Sequence, residues 1–310
     1  MADVTDAAFR RMFAKYGRPD VTWTEFVSAD GLCHPEGRRA MLADLGYTEE
    51  ERPIVAQVFT AHPDKMREAA RSILELGFDG LDINMGCPDK NVMKQGAGAK
   101  LMQDPALARA LIAAAKEGVD GKIPVSVKTR IGFNKDELDT WLPELLAERP
   151  AAITVHARTK KEMSLVPARW EHVARAVELA RGTGVLIIGN GDVKSMALAR
   201  ERVAETGCDG VMIGRGLFGN PWFFAEKEAS LDERLAALVE HTDLYESLFR
   251  DQKSFEIMKK HYKAYIHGFD GAHGLRAALM ECHDAASVRE RVEAFLKHRS
   301  EASIDTLSAA

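Results

Sequence analysis

Across residues 21–216 the sequence alternates short, apolar, β-branched runs with longer amphipathic stretches. That alternation limits the fold to a parallel sheet wrapped by helices. Strands are expected at 21–27, 54–59, 80–85, 125–130, 153–158, 185–190 and 210–214. The runs are apolar on both faces, as strands covered from both sides are. Helical periodicity is expected at 64–76, 105–117, 136–149, 170–180 and 193–206. The chain opens directly on a helix, 6–15, with Thr5 as its candidate N-cap. A barrel of this kind closes with eight strands, and seven are visible. The fold class we adopt is α/β, a (β/α)8 TIM barrel whose first strand belongs before Met1 and is missing from this sequence. An open Rossmann-like sheet tolerates seven strands, but the first β-α turn carries no G-x-G-x-x-G.

After Phe224 the spacing becomes purely helical, as in Leu235, Leu238, Val239 and Thr242, then Phe255, Met258 and Tyr262. The domain plan is therefore a barrel over 1–229, a small helical domain over 230–300, and a small, polar, flexible tail over 301–310. The 310 residues, 29% of them charged and 46% hydrophobic, suit an ordinary soluble globular protein. Apolar runs are strand-length, so no membrane span is expected. Asp3 and Asp6 sit where a signal peptide would place its basic and apolar regions. Cys33, Cys87, Cys208 and Cys282 lie far apart with no C-x-x-C pair, which argues against structural zinc and disulfides. A reducing, cytoplasmic location fits, with no metal and no obligate protein partner. The net charge of −5 means that any nucleic-acid contact must come from a local patch.

Active sites of such barrels form where strands end and loops begin. The expected strand ends here carry Gln57, Asn84 with Gly86-Cys87-Pro88, Lys128 and Arg130, His156 and Arg158, Asn190-Gly191-Asp192, and Gly214-Arg215-Gly216. Polar groups at successive strand ends are costly to bury without a shared polar ligand; loops closed by salt bridges are the plainer alternative. Gly-Asn-Gly and Gly-Arg-Gly let backbone amides approach a phosphate, although either alone also suits a tight turn. Lys128 is either a core-edge lysine or, with Gln57 and Asn190, a partner for the N1–C2 edge of a flavin. His156 reads as a structural histidine or, with Arg158 on the same strand face, as part of an anion site. Cys87 differs from the packing cysteines because Gly86 and Pro88 hold it in a rigid loop at the barrel mouth. A thiol there can act as nucleophile or acid.

Asn84-Met85-Gly86-Cys87-Pro88, with Gly96-Ala97-Gly98 downstream, resembles the tRNA-dihydrouridine synthase family. So do Val127-Lys128-Thr129-Arg130, Val155-His156-Ala157-Arg158-Thr159, Asn190-Gly191-Asp192-Val193 and Gly214-Arg215-Gly216, in order and register. Met258-Lys259-Lys260-His261-Tyr262 carries the likeness into the helical domain. The resemblance implies an FMN-dependent oxidoreductase in which NADPH reduces FMN and the flavin passes a hydride to C6 of a uracil in tRNA. Cys87 matches the family's cysteine, which protonates C5. By the same match Gln57, Lys128, His156, Asn190, Gly191, Asp192, Gly214 and Arg215 would hold FMN, and Asn84, Arg130 and Arg158 would meet the substrate. The family's barrel usually begins with a strand ending Ala-Pro-Met-Ala, so Met1 and Ala2 stand where its backbone touches flavin. Lys259 and Lys263, one helical turn apart in a basic stretch, would face the same way and grip tRNA. A small-molecule flavin oxidoreductase resembling dihydroorotate dehydrogenase leaves that basic appendage without a use. An inactive RNA-binding relative is the other alternative.

Overall fold

The computed structural model describes residues 4–250 and 252–308, with side chains to residue 301. Met1 and Ala2 lie outside the described residues. In chain order the elements are α1 (Ala7–Tyr16), β1 (Thr22–Ser28), α2 (Ala29–Cys33), α3 (Pro35–Leu45), β2 (Ile54–Phe59), α4 (Pro63–Glu75), β3 (Gly80–Asn84) and α5 (Lys90–Lys94). They continue with α6 (Pro105–Val119), β4 (Val125–Arg130), α7 (Leu138–Ala147), β5 (Ala152–His156), α8 (Glu171–Ala180), β6 (Leu186–Asn190), α9 (Met196–Thr206) and β7 (Gly210–Met212). Then come α10 (Leu231–Phe249), α11 (Lys259–Tyr265), α12 (Ala272–Met280) and α13 (Ala285–Ser308). The expected polar tail thus begins within α13.

Asp20–Gly216 form one compact unit. Its seven strands, all that occur among the described residues, make one sheet in sequential order, every neighbouring pair parallel. Strand followed by helix with no strand skipped is the winding of a parallel β/α barrel. Strands β2 and β3 are buried at every position. Ile54, Val58, Leu81, Ile83, Val127, Ile153 and Ile187 pack with Met66, Ile73, Leu111, Leu142 and Val173 from the helices. Helix starts follow local chemistry: Asp104 caps α6 ahead of Pro105, and Ser195 caps α9, each accepting from a third-position amide.

Register decides which polar side chains meet. Gln57 stands opposite Asp82 and Asp82 opposite Ser126. One step on, Asn84 faces Lys128. At the strand ends Arg130, His156, Asn190 and Met212 form a row across four strands.

The second compact unit runs from Leu217 onward and includes the opening segment up to Pro19. Trp222, Leu238, Tyr245, Phe249, Met258, Tyr262, Leu279 and Val288 build its core, and Ala7, Ala8 and Met12 of α1 belong to it. Lys15 pairs with Glu240 at 2.6 Å and the Tyr16 hydroxyl donates to the same carboxylate at 2.5 Å. The N-cap of α1 is Asp6 rather than Thr5, because the Asp6 carboxylate accepts from the Phe9 amide at 2.9 Å. A capping box of Ser230 and Glu233 starts α10. No helix among the described residues is long and apolar enough to cross a membrane.

Candidate active site at the strand ends

A directed chain of hydrogen bonds runs along the inner face of β2, β3 and β4. Asp82, fully buried, accepts from Ser126 Oγ at 2.5 Å and from Gln57 Nε2 at 2.7 Å. Gln57 Oε1 then accepts from Asn84 Nδ2 at 3.1 Å. Asn84 Oδ1 accepts from the amides of Gly86 and Cys87 at 3.2 and 2.9 Å. Burial pushes the Asp82 carboxyl up to about 6, against the hydrogen bonds from Ser126 and Gln57 that favour its charged form. The sequence reading passed over Asp82. Its signal was an acid in mid-strand between Leu81 and Ile83, where an ionisable group needs built partners.

The Cys87 loop is held by close backbone approach. A side chain on Gly86 would press on the Thr129 backbone at 3.1 Å, and Gly98, at φ +60°, leaves a Cβ only 2.9 Å from the Cys87 carbonyl. The Ala99 amide donates to that carbonyl at 2.9 Å. Cys87 is half-buried beside Phe26, Phe59, Val92 and Ala97. Burial raises its thiol pKa, outweighing the Asp89 backbone amide and the neighbouring Arg130 and Lys128. The thiol is therefore the resting form, which a proton donor requires.

Positive charge collects at the same strand ends. Lys128 meets Asn190 Oδ1 at 3.3 Å and forms no ion pair among the described residues. Burial, then Arg130, lowers its pKa to about 8. His156 is held neutral, first by burial and then by Lys128, Arg130, Arg158 and Arg215. Its Nε2 lies 3.1 Å from Arg158 Nη1, so Nε2 accepts and Nδ1 carries the proton. Asp192, at φ +56° after Gly191 at φ +135°, accepts from Arg158, from the Ala168 amide at 2.9 Å and from Arg215 at 3.3 Å. Partial burial raises its pKa, but the Arg158 hydrogen bond and the Ala168 amide leave it below the usual carboxylate range. Gly191 is obligatory there, since a Cβ would stand 2.6 Å from that of Ala168. Gly214 precedes the turn Arg215–Leu217, and a side chain on Gly216 would overlap the Val193 carbonyl. Four cations thus face two carboxylates, Asp82 and Asp192. The balance suits an anionic ligand, and the glycine-bordered loops after β6 and β7 suit its phosphate.

The structure brings together every expected site residue of the strand ends, with some already engaged. Asn190 Nδ2 donates to the Met212 carbonyl at 2.8 Å, and the Asp192 carboxylate serves Arg158 and Arg215. Arg130 and Arg158, expected to meet substrate directly, are buried: Arg130 donates to the carbonyls of Gly86, Thr159 and Met163, and Arg158 to the Val166 carbonyl, His156 and Asp192. In the helical unit, Lys259 and Lys263 do not present alike. Lys259 pairs with Glu256 at 2.7 Å with its side chain 8% exposed, whereas Lys263 is exposed. No group of three potential metal ligands occurs among the described residues.

Fold and site define a parallel β/α-barrel protein with a cation-rich strand-end face beside a thiol that burial keeps protonated. A family model described as dihydrouridine synthase (Dus) matches residues 1–300. The chain belongs to that family, and its chemistry is that of an oxidoreductase. It is 39% identical over 301 residues to a probable tRNA-dihydrouridine synthase 2 of Bacillus subtilis, covering 95% of this chain and 92% of that one. It is 38% identical to a probable tRNA-dihydrouridine synthase of Staphylococcus epidermidis, covering 95% and 91%. Among solved structures, the old yellow enzyme homologue of Zymomonas mobilis superposes with a TM-score of 0.51 at 11% identity, over 72% of this chain and 84% of that one. Histamine dehydrogenase from Rhizobium sp. 4-9 gives 0.53 at 12% identity, over 77% of this chain and 46% of that one. These two likenesses are of fold.

Proposed function

We propose that this protein reduces the C5–C6 double bond of selected uridines in tRNA, with FMN as bound cofactor and NADPH as reductant. The observation that carries the reading is a protonated thiol, Cys87, fixed beside a strand-end site with surplus positive charge. FMN, when bound, supplies the hydride. Gly191, Gly214 and Arg215 would hold its phosphate, while Lys128, with Gln57 and Asn190, would meet the ring edge where negative charge accumulates. His156 lines the same site as a neutral donor through Nδ1.

The substrate base enters unstacked, because a stacked uracil presents neither face to the site. Asn84 borders the base, and Arg130 and Arg158 shape the loop around it. Hydride addition at C6 leaves negative charge at C5, and Cys87 Sγ–H gives its proton there. The high thiol pKa keeps that proton in place until the charge develops. Lys263, exposed on α11, takes a tRNA phosphate, while Lys259 is engaged by Glu256.

Mass mapping of dihydrouridine in tRNA from cells with and without the gene tests the reading. At least one uridine should lose its two added hydrogens in the deletion and regain them on complementation. Identical maps would overturn it.

A further inference from the structure

Three of the six exposed large apolar side chains among the described residues fall within four positions of one loop: Met163, Leu165 and Val166. Leu165 is 87% exposed and Met163 44%. A single exposed leucine is ordinary, but three such side chains at one loop tip mark a contact surface. The loop joins β5 to α8, so it leaves the sheet at the strand end that carries the site.

Its shape is imposed by buried charge. Arg158 Nε donates to the Val166 carbonyl at 2.6 Å. Arg130 Nη1 donates to the carbonyls of Thr159 and Met163, both at 3.1 Å, and its Nε reaches the Gly86 carbonyl, next to Cys87, at 2.8 Å. One guanidinium therefore ties this loop to the cysteine loop. Glu162 accepts from the Thr159 amide at 2.7 Å and pairs with Arg169 at 2.9 Å. Met163 is held at φ +55°, a conformation unfavourable for its side chain. Two buried arginines are a costly clamp for a loop that only meets water.

The rim around the tip is basic. The amides of Lys160 and Lys161 donate to the carbonyls of Gly132 and Phe133, both at 2.9 Å, joining this loop to the one after β4. Lys160 Nζ lies 4.6 Å from the Phe133 ring centre. Lys135, Lys160 and Lys161 have no carboxylate at ion-pair distance among the described residues. The acids of the rim are engaged elsewhere: Glu162 with Arg169, Asp136 with His172, and Glu137 with the Phe133 amide.

We propose that the 160–166 loop is a nucleic-acid contact, resting on the tRNA reading above. Lys135, Lys160 and Lys161 take backbone phosphates, and Leu165 with Met163 packs against a base next to the uridine that enters the site. Extruding one base leaves its neighbours without a stacking partner, and an apolar wedge covers the exposed face. Phosphate binding alone requires no apolar tip. A contact between two copies would set the unpaired lysines of one against those of the other.

The test is equilibrium binding of an unmodified tRNA transcript to full-length Leu165→Ser, Leu165→Met and the double variant Lys160→Gln/Lys161→Gln. Leu165→Ser should bind on the order of tenfold more weakly, as the loss of part of a buried leucine predicts. Leu165→Met should retain affinity. The lysine pair should lower the salt dependence by up to about two log units of slope. Flavin content and melting temperature should match wild type throughout. Wild-type affinity in both the serine and the lysine variants would overturn the inference, while dihydrouridine formation by the wild type would leave the functional reading intact. Loss of a dimer in Leu165→Ser, with tRNA affinity unchanged, would assign the tip to a second copy and also overturn it.

Discussion

Asp82 gives the hydrogen-bond chain its direction, because a carboxylate only accepts, and Gln57 must therefore turn its NH2 toward it. Asp82→Asn replaces one acceptor by a donor. If Gln57 turns over in response, Asn84 must follow, and its NH2 then faces the amides of Gly86 and Cys87. We expect a loss of about 1–3 kcal/mol, the usual cost of an unmatched buried donor, together with faster alkylation of Cys87. Denaturant melts and thiol labelling measure the two. The same carboxyl sets a pH dependence. Its pKa is raised on folding to about 6, so the folded state binds more protons between the usual carboxylate range and that value. Stability from this group is complete below the unfolded pKa and is lost as pH rises through about 6, by on the order of 3 kcal/mol. Asp82→Asn should remove that slope. Lys128 works in the opposite sense to a stabilising residue: it is a half-buried cation without a carboxylate at ion-pair distance among the described residues. Lys128→Met should raise the melting temperature of flavin-free protein and lower flavin content, read by calorimetry and absorbance.

Among the elements, β2 coincides with the apolar run at 54–59, because a strand covered on both faces writes its limits directly as hydrophobicity, and β4 has the limits expected at 125–130 although only Val125 and Val127 of it are apolar. Strand β5 stops at His156, two residues short of its expected end, where Arg158 turns toward Asp192 and Val166. Helices α2 and α3 left no periodic signal: α2 is five residues long, and Leu45 is the only buried residue of α3. The side chains of the site were legible from their place at strand ends. Their partners were less so, since Arg130 through all its bonds and Arg158 through Nε donate to loop carbonyls that no sequence pattern marks. The loop after β6 gives the clearest test of an element's geometry. Gly191→Ala meets both an unfavourable φ and the Ala168 side chain, so it should destabilise by about 1–3 kcal/mol and reduce flavin content. Thermal melts and absorbance of the purified variant check it.

For the whole molecule, a net charge of −5 confines tRNA affinity to local surfaces, and exposure decides which lysines count. Lys263→Glu should weaken tRNA binding and reduce its salt slope by up to about one. Lys259→Met should leave that slope nearly unchanged, because its ammonium already pairs with Glu256. Binding titrations across a range of salt separate them. The opening helix was read with the barrel, yet Ala7, Ala8 and Met12 pack in the helical core. Chain order carried no hint of this, because a helix end-on to a strand pattern looks the same whichever core it joins.

The central claim is that Cys87 delivers the proton that completes uridine reduction. Its most direct test is single-turnover reaction of pre-reduced enzyme with unmodified tRNA, following flavin reoxidation and dihydrouridine together. Wild type should form one dihydrouridine per flavin reoxidised. Cys87→Ala should still bind flavin, accept reduction by NADPH and bind tRNA, but react about 10²–10⁴-fold more slowly, the range typical of a general acid. Reoxidation by tRNA at the wild-type rate in Cys87→Ala, normalised to bound flavin, would contradict the account.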